Sequence, residues 1–210
     1  METKKPRYGM AIDLEKCMGC HTCSISCKMQ NNVPDGMLWN RVLTEGGGDD
    51  IDRAGGVYPH LEMNYRPVAC MHCDNAPCIK VCPVGATYMD DNGRVLVDYD
   101  KCIGCRYCMA ACPYKVRTFN WQEPERMTGF NYGDAEVPVR PKGVVEKCTF
   151  CKERTDQGLE PACVESCPSE ARVFGDLNDP DSLVSKLIKS RTSERLLEHL
   201  GTEPKVHYLR

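Results

Sequence analysis

Long apolar runs are missing from this chain. Nowhere in its 210 residues does a stretch approach the roughly 20 apolar residues that a bilayer-crossing helix requires, and mean hydropathy is −0.46. No span of its own is expected, so any membrane association would come through a partner. Lys4, Lys5 and Arg7 stand near the N-terminus with no apolar segment behind them, so no cleavable secretion signal is expected either. Positive charge is not in excess: 27 Lys and Arg face 30 Asp and Glu, for a net charge of −3, which argues against nucleic acid as the main ligand. Aromatics are scarce, with four Phe, two Trp and nine Tyr, and the 41% hydrophobic fraction includes the cysteines. Apolar burial alone is thin for a chain of this size. What the chain has instead is 16 cysteines, enough to cross-link it through disulfides or metal centres.

The cysteines fall in four groups of four: Cys17, Cys20, Cys23, Cys27; Cys70, Cys73, Cys78, Cys82; Cys102, Cys105, Cys108, Cys112; and Cys148, Cys151, Cys163, Cys167. The first and third follow C-x2-C-x2-C-x3-C. The second and fourth lengthen only the middle gap, to four and eleven residues. A shared leading C-x2-C and trailing C-x3-C make this one structural unit used four times. A cubane of four irons and four sulfides needs four thiolates converging from different directions. A tight loop with a cysteine at every third residue presents three of them, and in the bacterial ferredoxin pattern the last cysteine serves the other cluster of a pair. Pro83, Pro113 and Pro168 follow the last cysteine of their motifs, whereas Lys28 follows Cys27.

Other chemistries fit less well. Cys17 to His21 matches the C-x-x-C-H of haem attachment, but its cysteines are two of a larger set and no export signal precedes them. Disulfides are disfavoured by the many i, i+3 neighbours, and a thioredoxin-type pair would not be repeated. The fourth group by itself also fits a structural zinc site made by Cys148, Cys151, Cys163 and Cys167. His21 and His72 sit beside the groups, but each quartet is complete without them. Gly46 to Gly48 lacks the strand, helix and glycine spacing of a nucleotide-binding turn, so a nicotinamide or flavin site is not expected.

Locally, Tyr8 to Asp13 reads as a strand entering the first motif. Ala86 to Met89 and Arg94 to Val97, joined by Asp90-Asp91-Asn92-Gly93, read as a hairpin between the second and third. Lys115 to Trp121 and Ala171 to Phe174 read as returning strands, and Trp39 to Leu43 and Val57 to Tyr65 as further ones. Residues 28 to 69 and 119 to 146 contain no cysteine and are insertions. After Pro180, Leu183, Val184, Leu187 and Ile188 share one helical face. Leu196, Leu197 and Leu200 suggest a second short helix ended by Gly201, the whole tail packing on its own protein. The expected class is α+β.

The motif order, with Cys70-Met71-His72-Cys73-Asp74-Asn75-Ala76-Pro77-Cys78, Cys102-Ile103-Gly104-Cys105-Arg106-Tyr107-Cys108 and Glu146-Lys147-Cys148-Thr149-Phe150-Cys151, resembles the four-cluster ferredoxin subunits of the dimethyl sulfoxide reductase superfamily of molybdenum or tungsten enzymes. The likeness runs from Tyr8 to about Asp176, and the ending Gly201 to Tyr208 also looks like the tails of some members. It implies two interlocked bacterial-ferredoxin-like modules: residues 6–30 with 142–178, and residues 66–122. Residues 31–65 and 123–141 would be insertions and 179–210 a C-terminal extension. It implies four [4Fe-4S] clusters, held by Cys17, Cys20, Cys23 with Cys167; by Cys148, Cys151, Cys163 with Cys27; by Cys70, Cys73, Cys78 with Cys112; and by Cys102, Cys105, Cys108 with Cys82. Some relatives lack a third-motif cysteine, but here Cys105 and its neighbours are all present.

The resemblance further implies a redox subunit that is not itself the catalyst. It would relay single electrons between a large molybdopterin-bearing subunit and either an integral membrane quinol-oxidising subunit or a soluble carrier. The equivalent subunit of a formate dehydrogenase or hydrogenase complex shares the plan. Such a chain would be cytoplasmic, or exported folded with a partner carrying a twin-arginine signal. Backbone N–H groups around Gly19 and Gly104, and the charges of Lys101, Arg106, Lys115, Lys147 and Lys152, are candidates for tuning the clusters. Four oxidised cubanes would carry the formal balance from −3 to about −11.

Overall fold

A computed structural model describes residues 5–45, 55–124 and 133–210. The Gly46-Gly47-Gly48 and Asp49-Asp50 stretch, and residues 125–132 of the second insertion, lie outside the described residues. Short strands and helices of mixed type make the protein α+β.

The principal sheet joins the two ends of the chain. Strand β1 (Tyr8–Asp13) lies at its centre, flanked on one side by antiparallel β10 (Arg172–Asp176) and on the other by parallel β12 (Val206–Leu209), with β11 (Ser193–Glu194) outside. Period-two alternation sorts the side chains of β1 and β12. Met10, Ile12, Val206 and Tyr208 enter the main core with the cysteines, while Ala11 and Leu209 meet Val184 of α6 (Leu183–Ser190) on the other face. The Ser182 hydroxyl caps α6 by accepting from the Ser185 N–H at 3.3 Å.

Four two-stranded ribbons complete the strands: β2 (Arg41–Glu45) with β5 (Asn64–Val68), β3 (Gly55–Val57) with β4 (His60–Glu62), β6 (Thr87–Met89) with β7 (Val95–Val97), and β8 (Thr118–Phe119) with β9 (Val145–Glu146). In the β6–β7 hairpin, Asp90 Oδ1 accepts from the N–H groups of Asn92 and Arg94 at 3.1 and 2.7 Å, and Gly93 supplies the positive φ of 75°. Helices α1 (Thr22–Gln30), α2 (Pro77–Lys80), α3 (Tyr107–Ala110), α4 (Lys152–Asp156) and α5 (Ala162–Glu165) are mostly single turns around the cysteine motifs.

Several expectations change. The stretch 57–65 is not one strand but parts of three, interrupted by a turn at Tyr58-Pro59 and a break at Met63. Lys115 to Trp121 contributes only two strand residues. The tail is not helical throughout: Leu196 and Leu197 lie outside any helix, Leu197 has a φ of 51°, and only Glu198–Leu200 forms a 3-10 turn, which Gly201 does end at a φ of 64°. The last residues enter the principal sheet as β12. The same tail reaches the middle of the chain, since the Lys205 N–H donates to Met71 O at 2.9 Å and the N–H groups of Asp74 and Asn75 donate to Glu203 O and Thr202 O at 2.9 and 3.2 Å. The extension therefore joins the sheet at the chain ends to the second motif.

Candidate iron–sulfur centres

Every motif makes the same turn. The residue before its second cysteine has positive φ: Gly19 at 69°, His72 at 44°, Gly104 at 68° and Phe150 at 56°. This left-handed step folds the chain back after the first cysteine. A side chain at Gly104 would run into the Gly143 carbonyl, and one at Gly19 into the Tyr65 ring, so glycine is required at both. His72 and Phe150 adopt the strained conformation as buried rings stacked on one another, with centroids 3.7 Å apart. His72 Nδ1 accepts from the Val95 N–H at 3.0 Å, and burial lowers its basicity well below the ordinary histidine range. His21 is exposed and precedes α1 in a left-handed conformation.

The turns bring the thiols together across motifs. Cys17, Cys20 and Cys23 line one cavity with Cys167. Cys148, Cys151 and Cys163 line another with Cys27, where Asn31 Nδ2 donates toward Cys27 Sγ and Cys151 Sγ, both at 3.7 Å. Cys102, Cys105 and Cys108 line a third with Cys82, whose Sγ accepts from the Thr87 N–H at 3.5 Å. For the remaining four, burial first and then neighbouring Cys70 and Cys78 push the Cys73 thiol up to about 12; burial, with Cys70 adding to it, raises Cys112. Hydroxyls of Tyr114 and Thr202, hydrogen-bonded to each other, face Cys73. All sixteen thiols are free of disulfides. Among the described residues no three Cys, His, Asp or Glu side chains converge as they would on a single metal ion.

A polynuclear group fits this donor set. Twelve of the sixteen soft sulfurs line three apolar cavities, four to each with Cys70 also reaching one of them, and buried guanidinium groups stand near cysteines where uncharged thiols would leave those cations uncompensated. Arg172 is one such group, 3.4 Å from Cys23 Sγ and 3.7 Å from Cys163 Sγ; buried Arg117 is the other. The sequence reading missed both.

The cations it did single out are placed differently. Lys101 pairs with Asp98 at 2.9 Å and Lys152 with Asp156 at 2.5 Å, both at the surface. Arg106 stacks on Trp121 and Phe119, 4.3 and 5.4 Å from the ring centroids, and Lys115 is exposed. Lys147 is fully buried but donates to the carbonyls of Val95 and Cys148.

The sets follow one another in space. Arg172 bridges the first-motif and fourth-motif sets, Cys70 lines the cavity of Cys27 and Cys148, and Cys78 lies beside Cys108. Cys20 and Cys105, at opposite ends of this succession, are exposed, while Cys27, Cys148, Cys151 and Cys163 are buried.

Fold and thiol geometry define an α+β iron–sulfur protein of the multi-cluster class. The family described as "4Fe-4S dicluster domain" matches residues 61–128 and 136–177. The chain is 57% identical, over 96% of its own length and 78% of the relative's, to the iron-sulfur subunit of a dimethyl sulfoxide reductase of Halobacterium salinarum. It is 44% identical, over 97% of itself and 96% of the relative, to the arsenate respiratory reductase iron-sulfur subunit of a Shewanella species. It is also 44% identical, over 98% and 74%, to a selenate reductase subunit of Mesobacillus selenatarsenatis. The chain belongs to the [4Fe-4S] electron-transfer subunits of the dimethyl sulfoxide reductase superfamily. No helix of the described residues is long and apolar enough to cross a membrane.

Proposed function

We propose that the sixteen cysteines hold four [4Fe-4S] clusters in crossed sets, and that the chain passes single electrons along them in the order Cys17/20/23/167, Cys148/151/163/27, Cys70/73/78/112 and Cys102/105/108/82. The carrying observation is that three cavities are each lined by three cysteines of one motif and the last cysteine of another. When bound, each cluster supplies a site that gains or loses one electron. The chain's own residues hold the sites, exclude water from the inner two and leave the outer two near the surface.

Two ferredoxin-like modules follow, residues 6–30 with 142–178 and residues 66–122, joined by the extension 179–210. Exposed Met18 beside Cys20 and exposed Ile25 on α1, with exposed Ile103 and Tyr107 around Cys105, suit a docking partner at each end. The partners that fit are a large molybdopterin-bearing catalytic subunit and a quinol-linked membrane subunit; relatives named for reduction of arsenate, selenate and menaquinone support such an assembly. The chain itself is then an electron conduit without a reaction of its own. Metal and sulfide analysis of the anaerobically purified protein tests the reading: about 16 iron and 16 sulfide per chain are expected, and about four zinc without iron would overturn it.

A further inference from the structure

Five residues past the last cysteine of the third and fourth motifs stands an arginine each time, Arg117 after Cys112 and Arg172 after Cys167. The same step past Cys27 and Cys82 reaches Asn32 and Thr87, so each proposed module carries one arginine. Both are buried, at 6% and 5% exposure. Arg172 directs its N–H groups to Cys23 Sγ at 3.4 Å and Cys163 Sγ at 3.7 Å, one sulfur from each set of its module; Asn40 Oδ1 at 3.1 Å and Met10 Sδ at 3.6 Å complete its surroundings. Arg117 donates to Thr87 Oγ1 at 3.4 Å, and the cysteines whose charge acts on it most are Cys78, Cys108 and Cys70, again from both sets of its module. Its Nη2 has no hydrogen-bond partner. Among the described residues neither guanidinium meets a carboxylate. A buried cation is expensive unless an anion compensates it, and among the described residues the groups that compensate these two are chiefly the cysteine sulfurs around them.

We propose that Arg117 and Arg172 are a matched pair of positioning residues, each fixing one positive charge between the two cluster sites of its own module and raising the reduction potential of both. Reduction adds one electron and one negative charge to a site, so a fixed neighbouring cation stabilises the reduced form more than the oxidised form. Because one guanidinium faces both sites, its effect falls on a pair and stops at the module boundary. The Thr87 hydroxyl, at the corresponding position of the second motif, accepts from Arg117 and holds it in place. This inference rests on the cluster assignment above, which the iron and sulfide content of the unaltered protein tests by itself.

The experiment is a potentiometric titration followed by electron paramagnetic resonance, on the holoprotein in its purified complex, for Arg172→Gln, Arg172→Lys and Arg117→Gln. Arg172→Gln should lower the one-electron reduction constant at least tenfold, about 59 mV, for two of four signals, and Arg117→Gln should do so for the other two. Arg172→Lys should stay within about threefold of the unaltered protein. Full iron with unmoved potentials in Arg172→Gln would overturn the proposal, as would a shift of the same signals by both neutral variants. If Arg172→Gln loses iron, the lysine variant decides: retained iron and potentials uphold the role of the charge, whereas loss of iron there too assigns the residue to packing and refutes it.

Discussion

Replacing Arg140 with methionine would remove one half of a fully buried ion pair whose partner, Glu146, is equally inaccessible. Arg140 Nε lies 3.2 Å from Glu146 Oε1, and its other N–H groups donate to the carbonyls of Asn31, Asn32 and Pro138 at 2.6, 2.7 and 2.9 Å. It thus ties the second insertion to the chain leaving α1 and to β9, which leads into the fourth motif. Removing one partner of a buried pair costs about 3–5 kcal/mol, because the other charge stays buried and unmatched. With a guanidinium chloride slope of about 5 kcal/mol per molar for a chain of this size, the unfolding midpoint should fall by about 0.6–1 M. Anaerobic denaturation followed by visible absorbance at fixed incubation times reads it. Glu146→Leu combined with Arg140→Met should recover only part of the loss: no charge is left orphaned, but the carbonyls of Asn31, Asn32 and Pro138 and the Asn120 side-chain amide still lose their partners. A shift below about 0.2 M in the single variant, or no recovery in the double, would show that the pair does not carry this energy.

Tyr208 is fully buried and donates to the Pro67 carbonyl at 2.8 Å, so Tyr208→Phe should cost about 1–2 kcal/mol and Tyr208→Ala about 3–5 kcal/mol in the same assay. Burial, with Arg195 and Arg7 nearby, lowers His207 to about 4 against an ordinary 6.5. The unfolded chain then takes up a proton that the folded chain refuses. The contribution of this residue to stability is complete above pH 6.5 and is lost as pH falls toward 4, by about 2–3 kcal/mol. His207→Gln should flatten the stability profile across that window, and an unchanged slope would contradict the assignment.

What could be read beforehand divides by how local its cause is. The cysteine groups, strand β1 and the β6–β7 hairpin were legible because ligand spacing, apolar alternation and the Asp90 to Gly93 turn act over a few residues. Strand β12 was not, since pairing Met10 with Val206 in parallel leaves no mark at either position; Leu196, Leu197 and Leu200 mimicked helical spacing over too short a span to form a helix. Lys147 looked like a surface charge beside a ligand and is buried against carbonyls. Arg117 and Arg172 stand far in sequence from most of the cysteines they face; their signal was the equal five-residue step past the last cysteine of the third and fourth motifs. His72 and Phe150 occupy the place that glycine fills in the other motifs, a correspondence visible only once φ is known.

In the proposed assignment the last cysteine of each motif serves a set begun elsewhere. The most direct test compares electron paramagnetic resonance spectra of Cys20→Ser, Cys167→Ser, Cys151→Ser and Cys27→Ser, each in the purified complex. Cys20→Ser and Cys167→Ser should alter one and the same cluster signal, and Cys151→Ser and Cys27→Ser a second one. If Cys167→Ser altered the signal of Cys151→Ser, and Cys27→Ser that of Cys20→Ser, each motif would hold its own cluster and the crossed arrangement would be wrong.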